Sequence, residues 1–224
     1  MNLVDNVRAL YVRNRQRGHA SWCDRDYDFV CPSSTTYPFQ WFWDSCFHAI
    51  VLARFDVARA ETELRSLLAN QQPDGFVAHV TFWQRERYEP LLSTYDIAYR
   101  TPHLSDGMQP PVLGEALLAV KNAGGDVDDL VVKAARYFDW LADTRDPDGD
   151  SLIAILQADE SGRDQSPKFD ALMDVTDPQA PMTDHRAAWH RIADPYQSVP
   201  RDPAKMFELD VFNDEPGGTY ADPL

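Results

Sequence analysis

The chain has 224 residues, of which 44% are hydrophobic and 12% aromatic, a composition that excludes wholesale disorder and supports one large or two small domains. Its formal charge is −15, with 36 acidic and 21 basic residues, and such a surface argues against nucleic-acid binding. No apolar run reaches the roughly 18 residues of a membrane span and no signal peptide is recognisable, so we expect a cytoplasmic protein that does not enter a membrane.

Apolar residues recur at helical spacing along most of the chain, with loops rich in aromatic and turn residues between them. The periodic segments cover residues 3–11, 43–51, 57–68, 112–120 and 130–141. Asp56 is the predicted cap of the third segment, so the second and third segments should form a helical hairpin. Gly124-Gly125 should end the fourth segment. Strand-like alternation is confined to residues 76–80 and 152–155, so the predicted class is mainly α, built from helical hairpins.

The last quarter of the chain has a different character. From Asp170 to Arg201 the helical periodicity fades and four prolines interrupt the sequence. An apolar pattern resumes at Met206 but soon meets a Pro-Gly-Gly turn. We therefore predict two parts: residues 1–170 form a helical domain, and residues 171–224 form a proline-rich loop or insertion that leads into a truncated continuation of that domain.

Residues 37–44 form a loop of high aromatic density between the first two helical segments. The loop contains Tyr37, Trp41 and Trp43 and ends in Asp44 at a predicted helix start. Indole rings stack on the C–H faces of sugars, and a carboxylate accepts hydrogen bonds from adjacent hydroxyl groups. The alternative is an aromatic core with Asp44 as a helix cap, and the loop by itself favours that alternative.

Two further loops contribute polar side chains. A Pro-Asp-Gly turn precedes His79, which lies on a short extended segment within reach of a pocket, although a lone histidine is more often structural. Gln109 stands just ahead of two prolines at the start of the fourth helical segment, where its amide can point into a cavity. Because each loop adjoins one end of a helix at similar spacing, we expect the loops to line a shared cavity.

The most informative loop is residues 160–170, in which Glu160, Arg163 and Asp164 follow one another closely. Gly162 lets the backbone turn sharply and approach a ligand. A neighbouring cation lowers the pKa of a carboxyl group, whereas a second carboxylate or burial raises it. Glycosidic cleavage needs a carboxylic acid that is still protonated near neutral pH. A solvated polar turn is the alternative, and this loop alone favours the turn.

Four strings together make the chain resemble the mannosylglycerate and glucosylglycerate hydrolases of glycoside hydrolase family 63, namely FQWFWDS, PDGFVAH, QPPVL and ESGRDQSPKFD. The family 37 trehalases share several of these strings. The similarity runs from about Leu3 to Asp170 and resumes at MFELDVFN. It implies a toroid of six helical hairpins, an (α/α)6 barrel, and an inverting mechanism that uses neither a metal nor an organic cofactor.

The resemblance also implies roles for individual residues. Asp164 corresponds to the proton donor of the family, and Asp44 corresponds to the carboxylate that holds sugar hydroxyls. The general base of the family is a glutamate from the C-terminal half of the barrel, and none of the acids near this C-terminus stands in a matching context. The other residues predicted to contact the substrate are Tyr37, Trp41, Trp43, His79, Tyr88, Gln109, Glu160 and Arg163.

The predicted function is hydrolysis of a small glycoside such as mannosylglycerate, glucosylglycerate or an α-glucoside. The alternatives are a sugar-binding fragment that lacks the general base and a helical scaffold that recruits a partner. About half of the barrel is expected in this chain, and its exposed flanks would favour self-association. The aspartate-rich surface suits either a high-salt cytoplasm or an ordinary acidic protein. We expect the three cysteines to be free buried thiols, and we predict no metal site.

Overall fold

The structure, a computed structural model, describes residues 2–88, 99–105, 107–146, 149–155 and 158–162. The chain divides into two compact units, Met1–Phe138 and Asp139–Leu224. The boundary predicted near residue 170 lies outside the described residues and stays a prediction.

The described residues contain five α-helices, six short strands and three 3₁₀ turns. The helices are α1 (Leu3–Arg13), α2 (Phe42–Leu52), α3 (Val57–Leu67), α4 (Leu113–Asn122) and α5 (Asp128–Arg145). The strands are β1 (Arg15–Ala20), β2 (Arg25–Val30), β3 (Gln40–Trp41), β4 (Val80–Thr81), β5 (Tyr99–Thr101) and β6 (Leu104–Ser105). The 3₁₀ turns are Leu68–Asn70, Arg85–Tyr88 and Ala158–Ser161. The helices confirm the predicted class in part, because the strands add two small sheets to it.

The predicted hairpin of α2 and α3 is present in the structure. Asp56 caps α3, because its Oδ1 accepts a hydrogen bond from the backbone N–H of Arg59 at 3.2 Å. This bond satisfies one of the backbone donors that every helix start leaves open. The buried small and apolar side chains of the two helices are Phe42, Cys46, Ala49, Leu52, Ala60, Leu64 and Leu67. Removal of this apolar surface from water stabilises the pair of helices.

Two glycines follow the end of α4, as predicted, and glycine is required at each position for a different physical reason. Gly124 has a φ of +91°, a left-handed backbone conformation that a side chain disfavours. Gly125 donates its backbone N–H to the carbonyl of Val120 at 3.0 Å. A Cβ at Gly125 would lie 2.6 Å from Cγ1 of Val120, so the close return of the chain to the helix requires glycine.

The antiparallel hairpin of β1 and β2 was not predicted from the sequence. Its register places Arg15 opposite Val30 and Ala20 opposite Arg25. The Arg15 guanidinium forms an ion pair with Asp28 across the strands. Most of β1 is exposed or half-buried, so the strand lacks the apolar alternation by which a sequence indicates a strand. The hairpin is held by cross-strand polar pairs and by burial of Ala20, Tyr27 and Phe29 in a hydrophobic cluster with Trp83.

A second sheet has the strand order β3-β4-β6-β5, with every neighbouring pair antiparallel. Its first two strands pair Gln40 with Thr81 and Trp41 with Val80. Of the strand expected at residues 76–80, only Val80 lies in a strand, because β4 spans Val80–Thr81, and residues 152–155 form no strand. Among the helices of the described residues, none combines the length and the apolar character needed to cross a membrane.

Candidate active site

The transition from β3 to α2 positions the aromatic loop. Trp41 is the last residue of β3 and the N-cap of α2, with the extended dihedral angles φ −95° and ψ 140°. The first backbone N–H of α2, that of Phe42, donates to the carbonyl of His79 at 2.9 Å. Because the strand runs directly into the helix, Trp41 and Trp43 lie at the helix start beside the segment that carries His79.

Three loops that are distant in sequence meet at the start of α2. Oε1 of Gln109 accepts a hydrogen bond of 2.9 Å from the backbone N–H of Trp43, which lies 66 residues earlier in the chain. The backbone N–H of His79 donates to the carbonyl of Gly107 at 3.0 Å. The rings of Trp41 and His79 lie edge to face with their centroids 5.2 Å apart. The structure thus brings together four residues that were predicted to line the pocket, Trp43 through its backbone N–H, although their contact with a sugar stays a prediction.

The two tyrosines predicted for the pocket make different contacts near this group. Tyr37 is 44% exposed, and its ring centroid lies 6.0 Å from that of Trp41 in an edge-to-face arrangement. Tyr88 is half-buried and makes an edge-to-face contact with Phe39, with centroids 5.5 Å apart. Trp41 and Tyr88 both pack against the buried cluster of Phe39, Val80 and Phe82. Tyr37 therefore contacts the Trp41 ring directly, whereas Tyr88 approaches through the cluster.

Asp44 lies in the first turn of α2, and Trp41 rather than Asp44 is the cap residue. The alternative in which Asp44 is the helix cap is therefore wrong. Burial raises the pKa of Asp44, and the carboxylate of Glu63 adds to the rise, whereas His48, a hydrogen bond from Trp43 and the helix backbone oppose it. Asp44 is thus a half-buried carboxyl group at the place where the tryptophans gather.

A buried polar network behind Asp44 was missed by the sequence analysis. Glu63 of α3 is 1% exposed, and its Oε1 accepts a hydrogen bond of 2.7 Å from Oγ of Ser45. Oγ of Ser45 in turn accepts from Nε2 of Gln40 at 3.1 Å, and Oε1 of Gln40 accepts from Nε1 of Trp83 at 2.7 Å. One signal in the sequence could have indicated this network: Glu63 stands three residues after Ala60, on the apolar face of the predicted helix, where a charged residue is unusual.

The loop predicted to carry the proton donor belongs to the second compact unit. Glu160 is 1% exposed, and both of its carboxylate oxygens accept hydrogen bonds of 2.8 Å from the guanidinium of Arg145. The carboxylate is thus engaged inside its own unit, and its contact with a substrate stays a prediction. Arg163 and Asp164 lie outside the described residues. Within the described part of the chain, no three His, Cys, Asp or Glu side chains cluster in a way that would hold a metal ion.

Tryptophans, a carboxyl group and an amide gathered at one helix start suit a carbohydrate ligand, and the relatives of the chain are glycoside hydrolases. Residues 37–213 match the family of the mannosylglycerate hydrolase MGH1-like glycoside hydrolase domain. This match covers most of the chain, and the chain belongs to that family. The resemblance inferred from the four sequence strings is therefore confirmed.

Individual relatives agree with this membership. A mannosylglycerate hydrolase of Thermus thermophilus is 34% identical over 152 residues, which are 63% of this chain and 37% of the relative. A glucosylglycerate hydrolase of Mycolicibacterium hassiacum is 33% identical over 154 residues, which are 60% of this chain and 34% of the relative. A crystal structure of the family 63 mannosylglycerate hydrolase of Thermus thermophilus, in complex with Tris and D-glycerate, superposes with a TM-score of 0.75 at 25% identity.

The chain spans only part of these proteins. The superposition covers 94% of this chain and 54% of the crystallised enzyme. The curated relatives are matched over about a third of their length, 37% and 34% for the two hydrolases named above.

Proposed function

We propose that the chain supplies the proton donor and the sugar-binding wall of an inverting α-glycoside hydrolase. Its substrate is a small glycoside such as mannosylglycerate, glucosylglycerate or an α-glucoside, and its helices form part of an (α/α)6 toroid. The meeting of Trp41, Trp43, His79 and Gln109 beside Asp44 is the observation that supports this proposal. Membership of a glycoside hydrolase family supports the reaction class.

The proposed sugar site combines apolar and polar recognition. The half-buried indoles of Trp41 and Trp43 offer faces on which the C–H groups of a pyranose can stack. Asp44, when ionised, accepts hydrogen bonds from neighbouring hydroxyl groups. The amide oxygen of Gln109 is used by Trp43, which leaves the amide NH₂ group as the donor toward a hydroxyl or a glycerate carboxylate.

The proposed chemistry needs two carboxyl groups. Asp164 donates a proton to the leaving oxygen, and a second carboxylate activates water on the opposite face of the sugar. In an inverting enzyme the two groups stand roughly 6.5–9.5 Å apart, which leaves room for that water. We assign Asp164 to the first role from the family motif, and we assign no residue of this chain to the second.

The test compares the wild-type chain with Asp164→Asn, using mannosylglycerate and glucosylglycerate as substrates. Turnover should fall about 100-fold or more in D164N, because general acid catalysis contributes at least that factor. The sugar released first should be the β-anomer, which NMR distinguishes. The exposed Asp139→Asn substitution in α5 is the matched control and should leave turnover unchanged. Near-normal turnover in D164N would refute the assignment of the acid.

A second candidate function is sugar binding without hydrolysis, by a chain that lacks the general base. The observation that favours it is that the match covers only 37% of the Thermus thermophilus enzyme. Titration of the wild-type chain with D-glucose and D-mannose, beside the hydrolysis assay, separates the two functions. Binding without any hydrolysis supports the sugar-binding alternative and contradicts hydrolysis by this chain.

A further inference from the structure

Glu63 occupies a position that ordinarily favours an apolar residue. It lies on the buried face of α3 between Ala60 and Leu64, and its side chain is 1% exposed. An ionised carboxylate in such a place is costly unless hydrogen bonds or a counter-charge compensate for its lost hydration. Because burial of the carboxylate is costly, the groups that bind it indicate the role of Glu63.

The two oxygens of Glu63 bind two different elements. Oε2 accepts the backbone N–H of Val30 in β2 at 2.7 Å, and Oε1 accepts the hydroxyl of Ser45 in α2 at 2.7 Å. Within the described residues, the imidazole of His48 also approaches it, with Nδ1 3.9 Å from Oε1. Tyr11 of α1 packs edge to face on His48 with centroids 5.2 Å apart, and burial together with Glu63 raises the pKa of Tyr11 to about 12.

The contact with Ser45 reaches the start of the proposed sugar site. Ser45 is the next residue after Asp44, in the first turn of α2, and it is fully buried. Its hydroxyl also accepts the amide of Gln40, the residue before Trp41. One hydroxyl therefore joins α3 to both ends of the short segment that presents Trp41, Trp43 and Asp44.

We propose that Glu63, acting through Ser45, is a positioning residue that sets the orientation of Asp44 and of the tryptophans at the start of α2 for sugar binding. This inference rests on the proposed function, because it assigns the sugar site to that segment. Glu63 itself does not touch the sugar. Its carboxylate holds the helix start in the conformation that the ligand requires.

Ser66 offers a matched control on the same helix. Its Oγ accepts the backbone N–H of Asp28 in β2 at 2.7 Å, so it makes the same kind of buried bond from α3 to β2 as Glu63 does. No described hydrogen bond of Ser66 reaches α2. Ser66→Ala therefore removes a comparable structural bond and leaves the Ser45 contact in place.

The experiment titrates the full chain with D-glucose and D-mannose in the wild type, Glu63→Gln, Ser45→Ala and Ser66→Ala. E63Q and S45A should each weaken affinity about tenfold, the factor that loss of one charge-assisted hydrogen bond produces. S66A should stay within about twofold of the wild type. S45A is the milder change, so it decides the matter if E63Q does not fold. Equal losses in S66A and E63Q, or no loss in E63Q and S45A, would overturn the proposal.

A second readout does not depend on sugar binding. The pKa of Asp44, followed by NMR of its carboxyl carbon, should fall in E63Q, because the neighbouring Glu63 carboxylate raises it in the wild type. S66A should leave this pKa where it is. A wild-type chain that binds neither sugar contradicts the proposed function. A wild-type chain that binds a sugar, with the same affinity in E63Q and S45A, contradicts the positioning role instead.

Discussion

At the scale of one residue, Asp44 is a carboxyl group whose burial opposes its ionisation. Its pKa is raised from the ordinary value of 3.8, chiefly by burial. A raised carboxyl pKa means that the folded state favours the protonated form. The stability that this preference supplies is complete below pH 3.8 and is lost as the pH rises through the folded-state pKa. Above that range the folded chain bears the cost of keeping an ionised carboxylate partly buried.

We predict that Asp44→Asn makes the chain more stable than the wild type at about pH 7, and that the difference narrows as the pH falls toward about 4. The amide keeps the shape of the side chain and removes the charge whose burial is costly. Urea unfolding at several pH values measures the difference. The same variant should bind D-glucose and D-mannose more weakly. A D44N variant that is no more stable than the wild type at neutral pH contradicts the account of its burial.

The residue types of the site could be predicted from the sequence, but their partners could not. The loop 37–44 was predicted from its high density of aromatic residues, and Gln109 was predicted from the QPPVL string in which it stands. The bond between Gln109 and the backbone of Trp43 joins residues 66 positions apart, and no local pattern encodes it. Glu63 was missed for a different reason: a glutamate on a helix usually points to solvent, so its place on the apolar face of α3 was not taken as a sign of burial.

At the scale of elements, helix boundaries were predicted correctly where a capping residue or a glycine pair marks them in the sequence. The capping aspartate of α3 and the glycines after α4 act within a few residues of a helix terminus, and α3 begins and α4 ends as predicted. The hairpin of β1 and β2 was missed because β1 is almost entirely polar and the apolar positions of β2 are few. In the second unit, the end of α5 is joined to the turn Ala158–Ser161 by the buried pair of Arg145 and Glu160.

Removal of one partner of that pair should be strongly destabilising. We predict that Glu160→Ala lowers the free energy of unfolding by about 3–5 kcal/mol, because it leaves the Arg145 guanidinium buried without a counter-charge. The double variant Arg145→Met with Glu160→Leu replaces both charges by apolar groups and should cost clearly less. Urea unfolding of both variants provides the measurement. A double variant as unstable as the single one would show that the loss comes from packing rather than from the unpaired charge.

At the scale of the whole molecule, charge is the dominant feature of the composition. The net charge of −15 comes from 36 acidic residues against 21 basic ones, and most of the acids are aspartate. Like charges on a folded chain repel one another, and dissolved salt screens that repulsion over a distance of about 10 Å at 0.1 M ionic strength. The fold should therefore depend on ionic strength more than a neutral protein of the same size.

We predict that an increase in NaCl from about 0.05 M to about 0.5 M raises the melting temperature by about 2–4 °C, which corresponds to about 1 kcal/mol for a chain of this size. KCl at the same concentration should have the same effect, because screening depends on ionic strength and not on the identity of the cation. Circular dichroism melting curves provide the measurement. A melting temperature that is constant or falls with salt contradicts self-repulsion as a destabilising force in this protein.

The sequence by itself determined most of the helices, the cap of α3, the stop of α4, the family and the residue types of the candidate site. These features depend on interactions within a few residues or on motif strings, so they can be recognised before the chain is folded. Only the tertiary structure decided which side chains meet: Gln109 with the backbone of Trp43, Glu63 with Ser45, and Arg145 with Glu160. A buried polar group takes whatever partner the packing of distant elements brings within hydrogen-bond distance, and that packing is a property of the whole fold.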